Sequence, residues 1–444
     1  MTIELASERR WTSSFRLGLS VLAEGLIRER HRWPLWLPVA MGGGVASYFA
    51  LDREPSGFAA MFCVLVFIAA AAGAFLSAHV WLRVGLSLIA ACTLGFAGAK
   101  AREAMVAAPV IARPLAAHLT GRHAALDWGA KGVRLVIDEV RSGRLSRPPR
   151  RIRILVRRGG EALPIGQGVE LSALLMPPPG PAAPGDRDFA RAAFFAGIGA
   201  VGFAYGEVRP VPLAHVPSLL TSLSAWLERL RKHMTLRIRG QMPPSQGAIA
   251  TAIITGERGG IAPEDEAGLR DAGLAHVLAI AGLHMALVGA GLFWLVRAAL
   301  ALFPPIALAY PIKKWAALAA LAASAFYLAI SGAATPATRA FVMLAMMFLA
   351  ILLDRPALSM RSLALAAVIL LLMRPETITE PGFQMSFAAV SSLIAVAEWE
   401  RGRDRVTHRS WAWGHVRGIA LTSLVASFAT LPFAMFHFGR ATHY

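Results

Sequence analysis

The stretch GLAHVLAIAGLHMALVGAGLF, residues 273–293, has the length and the apolar character of a membrane-spanning helix. It nevertheless contains two histidines, His276 and His284, which lie eight residues apart and therefore roughly 12 Å apart along one helix. Two ligands for one metal ion from a single helix need a spacing of three or four residues. We therefore predict a helix in the membrane whose two imidazoles do not share a metal ion.

The whole chain has the composition of a membrane protein that crosses the bilayer several times. Of its 444 residues, 56% are hydrophobic and 16% are charged, whereas soluble domains carry about 25% charged residues. The formal net charge is +18, with 45 Lys and Arg against 27 Asp and Glu. Basic residues in cytoplasmic loops account for part of this excess, and an excess on an exported segment would indicate a polyanionic partner.

Hydropathy and charge divide the chain into five segments. These are a basic cytoplasmic N-terminus (1–32), three transmembrane helices (33–99), a periplasmic β domain (100–212), amphipathic or interfacial helices (213–272) and a transmembrane core of about six spans (273–444). The spans are predicted near 33–51, 57–76, 84–99, 273–303, 314–332, 336–353, 362–373, 381–397 and 415–437. The loops that this topology places inside carry the basic residues, which supports a cytoplasmic N-terminus in a bacterial inner membrane.

The segment 100–212 contains four short stretches that alternate apolar and polar residues, as β-strands do. They are residues 132–140, 150–158, 168–176 and 200–208, and a Pro- and Gly-rich loop with a brief helix, 177–199, precedes the last one. This order is compatible with an OB-like barrel, although the pattern does not exclude other small β barrels. The predicted fold class is a polytopic α-helical membrane protein with an inserted small all-β, OB-like domain.

Positive charge is concentrated in this β domain. Between residues 113 and 160, twelve Lys or Arg stand against three acidic residues, and topology does not explain such charge on a long exported domain. A phosphate-binding face would explain it; a merely solvated surface is the alternative. The candidate nucleic-acid contacts are Arg151, Arg153, Arg157 and Arg158. Trp128 is the only aromatic residue between 113 and 188, so we expect the domain to follow a nucleic-acid backbone without stacking its bases.

The helix of the opening stretch has two different faces. A stripe of small residues, which would let another helix approach closely, comprises Ala275, Ala279, Gly282, Ala286 and Gly289. His284 points almost directly away from this stripe. Because lipid is a poor environment for an imidazole, we expect His284 to face a neighbouring helix or a wet cavity. A hydrogen bond from either histidine to a backbone carbonyl of another helix is the alternative.

Two further predicted helices carry polar residues close to their outer ends. Arg339 lies about one turn inside one helix, and Glu380 lies at the end of another, with Gln384 and Ser386 a turn deeper. An arginine inside a membrane is costly unless it is paired. We therefore predict an ion pair between Arg339 and Glu380, with either an architectural role or a direct contact to substrate.

The motifs GLAHVLAIAGLHMALV, SGAATPATRAFVM and EPGFQMSF occur in this order, and together they resemble the core of the ComEC competence-protein family. PGPAAPGDRDFARAAFFAGIGAVG is similar to the end of the periplasmic OB-type domain of that family. The resemblance implies an inner-membrane channel for uptake of single-stranded DNA during natural transformation (competence). The residues that it assigns to the channel lining or the motifs are His276, Gly282, His284, Arg339, Glu380, Gln384 and Ser386.

The chain also departs from the family pattern. Ala281 stands where the family often has Ser, and many members continue into a metallo-β-lactamase-like domain that this chain does not show, since it has no HxHxDH-type cluster. We therefore expect a form without that domain, no enzymatic activity in this chain and no cofactor. The expected partners are single-stranded DNA, membrane lipid, a periplasmic DNA-receptor protein and, because no GxxxxGK[ST] loop is present, a separate cytoplasmic motor.

The main alternative to this interpretation is a small-solute permease or a scaffold that only docks other machinery, and an intramembrane hydrolase is a further one. A small-solute permease would show repeated groups of helices and a compact charged site at mid-membrane, and no convincing repeat is present. An intramembrane hydrolase would need a motif such as GxSxG or HExxH, and neither occurs.

Overall fold

The computed structural model describes residues 29–438, except 52, 130–131, 158–159, 161–162, 182–187, 213–217, 273, 275–277, 279–281 and 402–410. Within these residues, six helices are long and apolar enough to cross a membrane. A small closed β barrel is inserted between the N-terminal and the C-terminal helices. The predicted fold class, a polytopic helical membrane protein with an OB-like β domain, is therefore confirmed.

The chain forms two compact units. The first unit contains residues up to 101, together with 363–380 and 394–404, and the second contains 102–362, 381–393 and 405–444. In the first unit, a 3-10 helix, Arg30–Trp36, leads into α1 (Leu37–Phe49), α2 (Gly57–Leu76) and α3 (Val80–Val106), and a second 3-10 helix covers Pro375–Thr379.

The first predicted span, 33–51, is not one regular α-helix. Proline has no N–H group and is tolerated in the first turn of a helix, and Pro34 lies in the 3-10 segment while Pro38 lies at the start of α1. As a result, α1 has only 13 residues. The spans predicted at 57–76 and 84–99 correspond to α2 and to the middle of α3.

Helices α1 and α3 approach each other at two glycines. A Cβ atom on Gly44 would overlap the carbonyl group of Cys92, and a Cβ on Gly95 would overlap the carbonyl of Met41. Tyr48 packs edge-on against Phe96 beside this contact, with the ring centroids 5.4 Å apart. The absence of side chains at the crossing point therefore lets the two backbones touch, as small residues do in other membrane helix pairs.

We expect Gly44→Val to destabilise the protein by about 1–3 kcal/mol or more, because the added side chain would have to push the two backbones apart. Gly43→Val in the same helix is the matched control, since a Cβ at Gly43 would have no atom within 4 Å. Thermal unfolding of the full chain in detergent measures the difference. Equal melting temperatures for both variants would contradict the close approach of α1 and α3.

The β barrel belongs to the second unit. Its strands are β1 (Leu115–Gly129), β2 (Gly132–Arg141), β3 (Arg151–Val156), β4 (Gly168–Met176) and β5 (Ile198–Val211), and a short helix, α4 (Phe189–Phe195), precedes β5. The hydrogen-bonded order is β1-β2-β3-β5-β4, closed on itself. The pair β3–β5 is parallel, and the four other pairs are antiparallel. Closure leaves the barrel without an open edge.

The four predicted strands are present, but β1 was not among them. Its pairing with β2 shifts register between Thr120 and Arg122 and again between His123 and Ala125. Each shift breaks the alternation of inward and outward residues that identifies a strand in sequence. The other strands keep that alternation: in β3, Ile152 and Ile154 are completely buried, while Arg151 and Arg153 lie on the outside.

His123 is a fully buried imidazole in the wall of the barrel. Its Nδ1 atom lies 3.1 Å from the carbonyl oxygen of Pro164, which requires Nδ1 to carry the proton. Within the described residues, Nε2 has no hydrogen-bond partner. The pKa of His123 is lowered, chiefly because burial disfavours the charged form; the bond to Pro164 opposes this shift and the nearby charge of Lys232 reinforces it.

The lowered pKa predicts that the barrel loses stability in acid. An unfolded histidine binds a proton below about pH 6.5, so the contribution of neutral His123 is complete above that value and is lost as the pH falls below it. We expect hydrogen-exchange protection of the strands, corrected for intrinsic rates, to fall between about pH 7 and pH 5. The fall should be smaller in His123→Leu. The control variant His118→Gln changes an exposed histidine of the same strand and should not make the fall smaller. A smaller fall there would contradict the assignment to His123.

The barrel is linked to the membrane helices by α5 (Leu219–Gln241), which is followed by α6 (Pro244–Thr255) and α7 (Pro263–Asp271). Lys232 on α5 donates a hydrogen bond to the carbonyl of Leu163 in the barrel, at 3.1 Å. Arg231, the preceding residue, donates from Nε to the carbonyl of Thr255 at the end of α6, at 2.9 Å. Helix α5 therefore holds the barrel with one side chain and α6 with the next. Its predicted position on the membrane surface stays a prediction.

We call the remaining helices the membrane core. They are α8 (Gly282–Ala301), α9 (Pro304–Ala309), α10 (Ile312–Ile330), α11 (Thr335–Leu352), α12 (Met360–Met373), α13 (Pro381–Arg401) and α14 (Trp411–Phe438). Helices α8, α10 and α11 pack on one another around Phe293, Ala317 and Phe348. The predicted span 273–303 contains the regular helix Gly282–Ala301, and residues 273, 275–277 and 279–281 of that span lie outside the described residues.

Candidate nucleic-acid interface and membrane-core cluster

The candidate arginines of the barrel lie on its outer surface. Because Ile152 and Ile154 point into the core of the barrel, the alternating positions Arg151 and Arg153 point outward, with 42% and 39% of their side chains exposed. Arg157 follows the end of β3 and is exposed, and Arg158 lies outside the described residues. The pattern of β3 thus places two of the four candidates side by side on one face, where their contact with nucleic acid stays a prediction.

Acidic residues neutralise part of this positive charge. Arg151 lies 3.4 Å from Asp138, and Arg122, which is itself buried, lies 2.9 Å from the same carboxylate. Arg153 contacts Asp127 through Nε at 3.6 Å. The third acidic residue of this region, Glu139, lies 3.4 Å from Nε of Arg122. All three acids therefore pair with arginines, and the unpaired charge on β3 is smaller than the sequence count suggests.

The outside of the barrel also carries aromatic residues, which sequence reasoning missed. Phe189 at the start of α4 is 55% exposed, and Phe203 and Tyr205 on β5 are 40% and 47% exposed. The expectation that the domain would not stack bases rested on the residues between 113 and 188. Phe189, Phe203 and Tyr205 come after that range in the sequence. Chain order gave no sign that α4 and β5 would lie beside β2 and β3, because the pairing of β3 with β5 joins strands that are distant in sequence.

A groove of about 310 Å³ lies between these elements. Arg134 from β2 and Arg153 and Leu155 from β3 form one side, and Phe189 of α4 forms another. The remaining lining consists of prolines and small or aliphatic residues: Pro178, Pro179, Ala192, Ala193, Ala196, Ile198, Val201 and Gly202. The groove therefore combines an apolar surface with two guanidinium groups.

In the membrane core, α8 packs by a different stripe from the predicted one. Its buried residues are Met285, Gly289 and Phe293, and a Cβ on Gly289 would lie 2.5 Å from Leu344 and 2.8 Å from the hydroxyl of Ser324. Of the predicted stripe, Gly289 makes the expected close contact, whereas Gly282 and Ala286 are exposed. The large side chains of Met285 and Phe293 pack against residues of α10 and α11. The packed face of α8 is therefore rotated away from its small residues.

The structure describes only one of the two histidines in residues 273–293. His276 lies outside the described residues, as do Ala275 and Ala279. His284 is half-buried in the first turn of α8. Whether it faces a water-filled path stays a prediction.

Arg339 is buried near the start of α11, with 6% of its surface exposed. Its Nη2 atom donates a long hydrogen bond of 3.5 Å to the hydroxyl of Ser386 on α13. A Cβ on Gly382 would lie 2.7 Å from the same nitrogen, so the guanidinium group lies against the backbone of the first turn of α13. The structure thus brings the predicted residues Arg339 and Ser386 together.

Gln384 lies between Gly382 and Ser386 in the sequence of α13, and it has a partner that the sequence did not indicate. Its side-chain oxygen accepts a hydrogen bond of 2.8 Å from Nε2 of His437, near the end of α14. The only sequence signal was a histidine close to the end of an apolar run. Together, Arg339, Gln384, Ser386 and His437 form a polar cluster that joins α11, α13 and α14, and we call it the core cluster. Glu380 is half-buried directly before α13, and its pairing with Arg339 stays a prediction.

The core cluster offers hydrogen-bond donors and acceptors and at least one positive charge, but no recognisable metal site. Within the described residues, no group of three or more His, Cys, Asp and Glu side chains could hold a metal ion. Such a set of groups is suited to guide a polar or charged solute past the ends of the helices.

The core cluster lies in the part of the chain that is related to known proteins: residues 253–444 match the family described as Competence protein. This part of the chain is therefore similar to competence proteins. We call residues 253–444 the competence core. The barrel lies outside the matched residues.

Two relatives support this assignment. ComE operon protein 3 of Bacillus subtilis (strain 168) is 28% identical over 212 residues, which is 48% of this chain and 25% of that protein. Competence protein ComA of Neisseria gonorrhoeae is 32% identical over 185 residues, which is 41% of this chain and 26% of that protein. The chain thus spans about a quarter of the length of these curated relatives. No solved structure matches the chain.

A double-mutant cycle tests the ion pair in the competence core. We expect Arg339→Gln and Glu380→Gln each to destabilise the full chain, and the double variant to lose at least about 1 kcal/mol less than the sum, since contacting residues couple. Thermal unfolding in nanodiscs measures the three effects. The control combines Arg339→Gln with Glu398→Gln near the other end of α13, where the effects should add. Additive effects for Arg339 and Glu380 would exclude the pair.

Proposed function

We propose that this chain forms part of the path by which single-stranded DNA crosses the bacterial inner membrane during natural transformation. The observation that carries the proposal is the core cluster: polar side chains join α11, α13 and α14 inside the segment that defines the competence family. Buried polar groups in membrane helices are costly and are retained where they serve transport or assembly. In this proposal the N-terminus is cytoplasmic and the barrel is periplasmic.

The barrel would act before the membrane core. Cationic side chains that neutralise phosphates release condensed counterions, and this release drives binding without regard to base sequence. Arg151, Arg153, Arg157 and Arg158 are the proposed contacts. Arg153 and Arg151 would exchange their acidic partners, Asp127 and Asp138, for phosphate groups. Competition from these carboxylates keeps binding weak enough for the strand to move on.

The membrane core would then pass the strand between its helices. Neutral donors and acceptors such as Gln384 and Ser386 can contact phosphates without the deep energy well that a ring of charges would create. His284, Gly282 and, outside the described residues, His276 are proposed to line the same path. A periplasmic DNA-receptor protein and a cytoplasmic motor would deliver and pull the strand.

Reconstitution tests the proposal directly. With the full chain in phosphatidylcholine liposomes that enclose a single-strand-binding protein, we expect a labelled single-stranded oligonucleotide to become protected from external nuclease. Double-stranded DNA of the same length should not, and empty liposomes give the background. Protection indistinguishable from empty liposomes would refute the channel. Release of an enclosed small dye without any protected DNA would favour the small-solute permease instead.

The variant His284→Leu separates a role in transport from a role in packing. We expect it to be expressed and folded like the wild type while protecting less DNA, because the imidazole is proposed to face the path. The melting temperature and the protected fraction are measured on the same preparation. A large loss of stability would instead assign His284 to a packing contact between helices.

A further inference from the structure

The groove on the barrel has features that the proposed arginine contacts do not explain. We propose that it binds one nucleotide of single-stranded nucleic acid, with the base against Phe189 and the apolar lining and a phosphate on Arg134 and Arg153. This inference rests on the proposed function and adds to it a stacking site. Its volume of about 310 Å³ lies at the lower end of the range for small-molecule sites, roughly 300–1,000 Å³.

The lining of the groove fits the flat face of a base. Ala192, Ala193 and Ala196 of α4 present only methyl groups to the groove, so a planar ring can lie close to the backbone of that helix. Leu155 and Val201 add aliphatic surface from neighbouring strands. Phe189, more than half exposed at the edge, offers an aromatic face, and stacking on such a face tolerates every base.

The two arginines of the groove differ in their environment. Arg134 is exposed on β2 and forms no ion pair with any residue that the structure describes. Arg153 contacts Asp127 through Nε, and across the described residues its terminal nitrogens have no acidic partner. A guanidinium group binds phosphate through paired N–H donors, so both side chains can contact an anion at the rim of the groove.

The aromatic surface continues beyond the groove along β5. Val201, Phe203 and Tyr205 occupy alternate positions of this strand and therefore share its outer face, and only Val201 lines the groove. A strand leaving the groove would meet Phe203 and then Tyr205, both exposed. A row of exposed rings beside cations suits successive bases and phosphates, whereas an acyl chain would need a continuous apolar channel.

The experiment compares two ligands that carry the same phosphates. The full chain in phosphatidylcholine nanodiscs is titrated into a fluorescent oligothymidylate and into an abasic oligomer of equal length, and anisotropy is recorded. We expect Phe189→Leu to weaken binding of oligothymidylate roughly fivefold or more and to leave the abasic oligomer unaffected. Phe189→Trp should retain wild-type affinity for both. Arg134→Gln should weaken both ligands and reduce the salt dependence, unlike the control Arg141→Gln on the same strand.

Each other outcome overturns the inference. If Phe189→Leu affects both ligands equally or neither, the groove holds no base, while binding to the arginines and the proposed function remain intact. If vesicles containing phosphatidylglycerol displace oligothymidylate from the wild type but not from Phe189→Leu, the occupant is a lipid headgroup. If the wild-type chain binds neither oligomer, the role of the barrel in the proposed function fails together with the stacking site.

Discussion

Backbone hydrogen bonding is the constraint on which the rest of this structure depends. In hydrocarbon, every backbone N–H and C=O group must be hydrogen-bonded within the protein, and an α-helix achieves this within a single segment. β-strands satisfy their backbone groups by pairing with one another. Here the five strands form a closed barrel, in which β4 pairs with β1. The 3-10 helix before α1 is consistent with this constraint, because Pro34 within it has no N–H group that needs a partner.

The same constraint applies to side chains and explains the core cluster. A charged or hydrogen-bonding group that leaves water must find partners in protein, and Arg339 and Gln384 find theirs on α13 and α14. These contacts connect α14 to α13, and the other described side chains of α14 are largely exposed. A site that both joins helices and offers polar groups can support transport only if some of its bonds can be exchanged for bonds to the solute.

In the barrel, the balance between charge and packing determines what the surface can bind. Paired acids reduce the charge of β3, and the small side chains of α4 open an apolar groove next to the remaining guanidinium groups. Electrostatic attraction alone would hold a polyanion loosely at any orientation. In the proposed stacking site, an aromatic residue beside the cations would add a contact that requires an unpaired base, and it would thereby favour single strands over duplexes.

The amino-acid sequence by itself determined the class of the protein, the positions of most spans and four of the five strands. These features follow from composition and from periodicity, which depend only on residues that are close together in the sequence. Only the tertiary structure decided the features that depend on distant segments: the register shifts that hid β1, the rotation of α8 that buried Met285 and exposed Ala286, and the hydrogen bond between Gln384 and His437. It also decided that Phe189 and Arg134 line one groove, because the barrel pairs β3 with β5 across a long stretch of chain. Local patterns cannot encode such pairings, since each depends on which surfaces remain available once the chain has closed.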